Sequence, residues 1–378
     1  MKVEFFLIFL FTVKAGKSES LCKKGVKIEN PNEIDKIKGC EKLEGDLTIK
    51  NTGIEKIEFD ELREVDGTII VYGVESLTSI SFPKLNKTMG LNIGHNIKLK
   101  QINFPELLNS KKIKVFNNEK LNFINMNKLR DTDSFELLNS QIKSLELSDM
   151  RTVGLLNIYS NPELIGISLP LLKECKNETN ISENDILEDI NIPKLVTIGG
   201  EMNIDSNPKL KSLESFLSLA NIEGDLIVNG DIETFSLKKI AKIYGKCQLN
   251  GSKSFNCEAF KSEIFKLANV NCECGDKMAT SSTTKNPNEL NYKKLDYDGT
   301  EELKNNAINE KTKNDEPTKI PGKSENTHNY GKINSEVKSS SSKCELTRSG
   351  ENVLKIYLIF LFQVFVVYYL SCQVNFDS

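Results

Sequence analysis

Short segments in which apolar and polar residues alternate recur along the chain between Gly39 and Cys257. Leu47-Thr48-Ile49-Lys50 is the clearest of them, and comparable segments start again roughly every 22 residues. Because the side chains of a β-strand point alternately to its two faces, each segment predicts a strand with one buried face. The predicted strands start at Leu47, Ile69, Leu91, Ile113, Phe135, Leu156, Thr179, Met202, Leu226 and Cys247.

A repeating unit of about 22 residues is too short to bury its own apolar face, so the units must stack on one another. The pattern therefore predicts a mainly β fold. We expect a right-handed β-helix solenoid, similar to leucine-rich repeats, in which each unit adds one strand to a parallel sheet. The inward residues of successive strands would then form one continuous core.

Two residue types recur at fixed places in the unit. Pro follows a large apolar residue at Phe82-Pro83, Phe104-Pro105, Leu169-Pro170 and Ile192-Pro193. Asn follows the strand in most units, which predicts a column of buried amides that hydrogen bond from one unit to the next. The expected members are Asn51, Asn96, Asn118, Asn139, Asn161, Asn184, Asn207, Asn229 and Asn250.

The start of the repeat region resembles a known module. The phrase Cys40-x-x-Leu43-x-Gly45-x-Leu47-x-Ile49, preceded by Cys22, is similar to the opening of a receptor L domain. This is the ligand-binding module of insulin-receptor and epidermal-growth-factor-receptor ectodomains, and the layout also resembles kinase-less L-domain surface proteins of nematodes. The resemblance implies a binding protein that holds a ligand on a face of its sheet.

The resemblance covers about residues 22–257, which is enough for two receptor L domains in tandem, 22–140 and 141–257. The second half lacks its own Cys-x-x-Leu-x-Gly opening, and no Cys-rich block separates the halves. One continuous solenoid is therefore the alternative.

The cysteines are concentrated at the two ends of the repeat region, where a stack exposes one side of its core and needs a cover. Cys22 and Cys40 are expected to pair over the first unit. A Cys-rich cap at 258–275 is expected to close the other end with two bridges, of open connectivity, among Cys247, Cys257, Cys272 and Cys274. Cys175 is expected to be a buried free thiol.

Residues 1–18 form a predicted signal peptide, because the apolar run Phe5 to Val13 is too short to span a bilayer and small residues follow it. Entry into the secretory pathway makes glycosylation possible at Asn-x-Ser/Thr sequons. These sequons occur at Asn86, Asn177, Asn180 and Asn250.

The C-terminal part of the chain predicts a stalk and an anchor. Residues 276–352 are poor in large apolar side chains and rich in Ser, Thr, Lys, Asn and Glu, which is typical of a disordered stalk. Residues 353–372 form an apolar run long enough for a transmembrane helix. Basic residues precede the run and none follows it, so a lipid-anchor signal is the alternative. Either anchor predicts a cell-surface protein that is attached to a membrane.

The outward positions of the predicted strands carry an apolar stripe where polar residues are usual. With strands about 4.8 Å apart, the stripe would be roughly 20 Å long. Exposed aromatic residues on a rigid sheet are typical of binding hot spots. The candidate ligand-binding residues are therefore Ile70, Tyr72, Phe116, Leu138 and Tyr159. The alternatives are a face packed on another domain or a register displaced by one residue.

Composition and charge narrow the classes of function. The chain has 378 residues, with 50 Lys and Arg against 53 Asp and Glu, so a nucleic-acid partner is not expected. It has two His and no kinase motif. We therefore expect no enzyme, no catalytic residues, no cofactor and no metal.

The predicted function is that of a membrane-anchored extracellular binding protein. It resembles a kinase-less insulin or epidermal-growth-factor type receptor ectodomain, and would capture or present a peptide ligand as a decoy or co-receptor. A structural or adhesion repeat protein of the cell surface is the alternative.

Overall fold

The computed structural model describes residues 21–50, 52–264, 270 and 272–276. Every described residue lies within the unit Met1–Lys294. The predicted signal peptide, almost all of the predicted stalk and the apolar run at 353–372 lie outside the described residues. Within the described part, no helix has the length and apolar composition needed to cross a membrane.

One parallel sheet of 17 strands dominates the described unit. Together with the shorter strands it builds a β-solenoid of about 11 turns, so the predicted β-solenoid is confirmed. The strands of this main sheet are β1 Val26–Ile28, β2 Lys42–Leu43, β3 Leu47–Lys50, β5 Glu64–Tyr72, β7 Lys87–Gly94, β9 Asn109–Asn118, β11 Asp131–Ser140, β13 Thr152–Tyr159, β15 Glu174–Cys175, β16 Thr179–Ser182, β18 Thr197–Ile198, β19 Met202–Asp205, β20 Asn221–Ile222, β21 Leu226–Asn229, β22 Lys242–Ile243, β23 Cys247–Gly251 and β24 Cys272–Asp276.

The register of the main sheet follows the alternation in the sequence. Leu47 pairs with Ile69, and each later predicted strand start pairs with the next one as far as Cys247. All of these residues are buried, because a period of two places every second side chain inside the solenoid.

The main sheet continues across the predicted boundary at residue 140. β11, which ends at Ser140, pairs in parallel with β13. The continuous sheet favours the single-solenoid alternative, and the division of 22–257 into two L domains stays a prediction.

Two short parallel sheets form other sides of the solenoid. The first contains β4 Lys56–Glu58, β6 Ser79–Ser81, β8 Gln101–Asn103 and β10 Phe123–Asn125. The second contains β12 Ser144–Glu146, β14 Gly166–Ser168 and β17 Asp189–Asn191. Next to the first sheet, the buried rings of Phe59, Phe82 and Phe104 form a row with neighbouring centroids 5.1 Å apart. The first pair is tilted and the second is stacked. The Phe of the Phe-Pro phrase is therefore a core residue.

A column of buried amides runs along the turn that follows the strands of the main sheet. In Asn184, Oδ1 accepts from the backbone N–H of Asn161 at 3.1 Å. Its Nδ2 donates to the Ile158 carbonyl at 3.2 Å. Each amide thus accepts from a backbone N–H of the preceding unit and donates to a carbonyl of a main-sheet strand. The members are Asn96, Asn118, Asn161, Asn184 and Asn207.

Three of the Asn residues predicted for this column lie elsewhere. Ser140 occupies the buried position, and the preceding Asn139 is exposed with a φ of 47°. Asn229 and Asn250 continue an outward column instead. The prediction failed there because Asn also suits left-handed turns and polar faces, which the sequence pattern does not separate. Asn51 lies outside the described residues.

Disulfides lie at both ends of the stack. Cys22 pairs with Cys40 beside a 3-10 helix at Pro31–Lys36. At the other end, helix α1 (Cys257–Ile264) and strand β24 are linked to the sheet by two bridges. These bridges are Cys247–Cys272 and Cys257–Cys274, which gives the connectivity that the sequence left open.

The variant Asn184→Ala tests the amide column. It removes the acceptor of the buried Asn161 N–H and a donor to the Ile158 carbonyl, and an unsatisfied buried polar group costs about 1–3 kcal/mol. We expect the free energy of unfolding to fall by about 3 kcal/mol, measured by chemical denaturation. Asn122→Ala, at an exposed position, is the control and is expected to change it by less than about 0.5 kcal/mol. Equal losses in the two variants would contradict this role of the amides.

Candidate functional site

The outward side of the main sheet between β3 and β23, called the outer face below, carries the candidate ligand-binding residues. Lys50, Tyr72, Gly94, Phe116, Leu138 and Tyr159 occupy one column, each on the strand next to the preceding one. Ile70 lies in the neighbouring outward column. The structure therefore brings the five predicted residues together on one face.

Leu138 differs from the other candidates in its exposure. Its exposed fraction is 7%, whereas Ile70, Tyr72, Phe116 and Tyr159 are half-buried. Leu138 therefore has little surface for a ligand and contributes mainly to the support of its neighbours.

His95 completes an aromatic cluster that the sequence pattern did not reveal. Its ring centroid lies 4.9 Å from that of Tyr72 and 5.3 Å from that of Phe116. Tyr72 and Phe116 are on strands two apart, yet their centroids are only 6.3 Å from each other. Gly94 permits this, because a Cβ at Gly94 would lie 2.4 Å from the Phe116 ring. We call Tyr72, His95, Phe116 and Tyr159 the aromatic surface.

The turn beside the aromatic surface is held by residues in the left-handed region. Positive φ values recur at His95, Asn117, Asn139, Ser160, Glu183 and Ser206. Asn and His adopt this region more readily than most residues. The Asn139 amide donates to Asn117 Oδ1 at 3.1 Å, and Asn117 Nδ2 lies 3.2 Å from His95 Nε2. In the sequence, this turn is indicated by an Asn, His or Ser that recurs directly after the column of Tyr72, Phe116 and Tyr159.

Two lysines lie against the aromatic rings. Lys50 Nζ is 5.8 Å from the centroid of Tyr72, and Lys114 Nζ is 5.4 Å from that of Phe116. Lys114 also pairs with Glu136 at 3.7 Å. The N-terminal half of the outer face is therefore aromatic and basic.

The C-terminal half of the outer face is polar. Asn203 Nδ2 donates to Asn180 Oδ1 at 3.0 Å, and Asn180 Nδ2 donates to Asn157 Oδ1 at 2.8 Å. Asn250 Nδ2 donates to Asn229 Oδ1 at 2.7 Å. Amides on adjacent strands thus bind one another across this half.

A group of carboxylates lines one side of the polar half. Glu178, Glu201 and Asp225 precede the inward residues of three successive strands. Burial raises the pKa of the Glu201 carboxyl, and the neighbouring Asp225 and Glu178 carboxylates raise it further. Like charges are therefore crowded here.

The predicted glycosylation residues fall into two groups. Asn86 and Asn177 are exposed in turns. Asn180 and Asn250 are half-buried on the outer face, with their Nδ2 groups bound to other amides.

Neither a metal centre nor a reactive thiol stands out in the described part of the chain. Its His, Cys, Asp and Glu side chains form no group of three or more suited to a metal ion. Cys175 is a buried free thiol, and burial raises its pKa. A thiol of this kind is poorly reactive.

The described residues form a β-solenoid with a disulfide near each end, and its main sheet carries the candidate ligand-binding residues. Residues 39–135 match the family model of the receptor L domain. The resemblance to a receptor L domain that the sequence showed is therefore confirmed for this part of the chain.

Two fungal proteins are similar to the chain. A cell surface GPI-anchored protein of Arthroderma benhamiae is 26% identical over 310 residues, which make up 64% of this chain and 79% of that protein. The cell wall protein ecm33 of Schizosaccharomyces pombe is 31% identical over 100 residues, 25% of this chain and 24% of that protein. No solved structure matches the chain.

The variant Glu201→Gln tests the crowded carboxylates. Because the folded pKa is raised, the ionised Glu201 lowers stability at neutral pH, and this cost disappears as the pH falls toward the ordinary Glu pKa of about 4.3. We expect a higher Tm than the wild type at pH 7 and a smaller difference near pH 4. Glu188→Gln, at an exposed position, should match the wild type at both pH values. A Glu201→Gln variant without any gain at pH 7 would refute the interpretation.

Glycan mapping by mass spectrometry of the secreted protein tests the two groups of sequons. We expect sugar on Asn86 and Asn177, whose side chains are free in solvent-exposed turns. We expect none on Asn180 or Asn250, because a glycan there would displace amide hydrogen bonds of the outer face. Full occupancy of Asn180 would show that this half of the face is not closely packed in the mature protein.

Proposed function

We propose that this protein is an extracellular, cell-surface binding protein that captures a peptide or protein ligand on its outer face. The observation that carries the proposal is the aromatic surface, a cluster of half-exposed rings on a rigid sheet. Aromatic side chains that are fixed by their surroundings lose little entropy on binding and are enriched in hot spots.

The comparisons support the location at the cell surface. Both fungal relatives are named as proteins of the cell surface or cell wall, and one is named as GPI-anchored. Three disulfides fit an oxidising compartment. We infer that the apolar run at 353–372 is a lipid-anchor signal rather than a transmembrane helix, with Ser339 to Ser342 as the attachment region.

The receptor L-domain match supports a protein ligand rather than nucleic acid, and the balanced charge of the chain agrees with it. A peptide of the insulin-like or epidermal-growth-factor-like class remains our proposal for the ligand, with the protein acting as a decoy or co-receptor. No catalytic step is part of the proposal. The name of the cell wall relative favours adhesion or a structural role as the second candidate function.

Binding of the purified protein to a panel of secreted insulin-like and growth-factor-like peptides tests the proposal. Phe116→Ala and Tyr159→Ala are each expected to weaken binding by about 30-fold, which corresponds to about 2 kcal/mol for a hot-spot residue. Tyr244→Ala is the matched control, because Tyr244 is 64% exposed, also lies near a lysine, and is outside the aromatic surface. Unchanged affinity in both aromatic variants would refute the site.

A further inference from the structure

The two halves of the outer face carry opposite charges that are not neutralised within the described part of the molecule. Lys111 and Lys112 are exposed beside the aromatic half and form no ion pair with any described residue. Glu178 and Glu201 beside the polar half likewise have no ion pair there. Each half thus presents charge for which the described residues supply no partner.

Lys112 and Glu201 occupy the same column of the outer face but cannot reach each other. Lys112 pairs with Ser134, and Ser134 with Leu155. The column then continues through Glu178 to Glu201. Their carbonyls accept from the N–H groups of Leu156 and Thr179, the inward residues of the preceding strands. Four strand spacings separate Lys112 from Glu201, roughly 19 Å. Their charges can therefore meet only between molecules.

We propose that the outer face binds a second copy of this chain in an antiparallel arrangement. A two-fold axis that runs parallel to the strands at β13 superimposes each column on itself and reverses the order of the strands. Lys112 of each copy then faces Glu201 of the other, and Tyr159 lies next to the axis. The same contact therefore occurs twice, once on each side of the axis, as an isologous dimer requires.

The size of the outer face fits a stable dimer. About ten strands at about 4.8 Å and about five residues at about 3.3 Å give a surface of roughly 50 Å by 17 Å. This is close to the 800 Å² or so per partner of a standard protein interface. A parallel arrangement, with its two-fold axis along the stack, would instead place Glu201 against Asp205 and Lys112 against Phe116. Its acidic residues would then face one another, and such like-charge contacts are unfavourable.

This arrangement also accounts for the chemistry of the polar half. Tyr72 of one copy faces Asn250 of the other, so the ring covers an amide whose Nδ2 already donates to Asn229. The inference rests on the proposed function, because it names a partner for the same outer face. A second copy as ligand would make the protein a homophilic cell-surface protein.

Co-precipitation of two differently tagged full-length copies from detergent extracts tests the dimer. Lys112→Glu and Glu201→Lys are each expected to reduce self-association by about tenfold or more, because each creates two like-charge contacts across the axis. The two variants mixed together are expected to associate as the wild type does, since both contacts are then between opposite charges. The controls Lys98→Glu and Glu188→Lys, at exposed turn positions, should leave self-association unchanged.

The outcomes separate this inference from the proposed function. Mutual rescue of the two variants, with normal secretion of each, establishes the antiparallel dimer. Wild-type copies that do not associate, or single variants that associate normally, overturn it. If copies do not associate but a peptide of the panel binds through Phe116 and Tyr159, the dimer is refuted and the proposed function stands. If neither a copy nor a peptide binds, both are refuted.

Discussion

The need to satisfy buried backbone groups at each turn of the solenoid is the constraint on which the rest of the structure depends. Parallel strands pair through their own backbone, but the chain must then turn inward, where its buried N–H groups need other hydrogen-bond partners. The buried amides of Asn96, Asn118, Asn161, Asn184 and Asn207 bind these groups. Since an unpaired buried polar group costs about 1–3 kcal/mol, these five amides stabilise the turns of the middle of the stack.

A fixed spacing and register have a direct consequence for the outer face. Side chains on adjacent strands are brought into columns, so residues some 22 positions apart in the sequence become neighbours. Tyr72, His95 and Phe116 form a cluster in this way, and Gly94 leaves the space that it needs. The same columns align the amides of the polar half and crowd the carboxylates around Glu201. The face is therefore divided into an aromatic, basic half and a polar, acidic half.

The solenoid gives the candidate site its rigidity, whereas the side chains of the outer face give it its chemistry. The ends of the stack are covered by Cys22–Cys40 on one side and by α1 with two disulfides on the other. Covered ends protect the core where a repeat has no neighbour. A face of this kind suits the binding of a large partner, whether a peptide ligand or a second copy of the chain.

The sequence by itself determined the repeat, the strand starts and the outward column of Tyr72, Phe116 and Tyr159, because a period of two leaves one choice of faces once the core residues are known. It also showed the resemblance to a receptor L domain and the cysteines that cover the ends. It did not separate the Asn residues of the buried column from Asn139, Asn229 and Asn250, since the same residue type suits all three places. Only the tertiary structure decided that Leu138 is buried, that His95 joins the rings, and that Lys112 and Glu201 share one column. Exposure and contacts across strands depend on which side chains the turns bring together, and local pattern does not encode them.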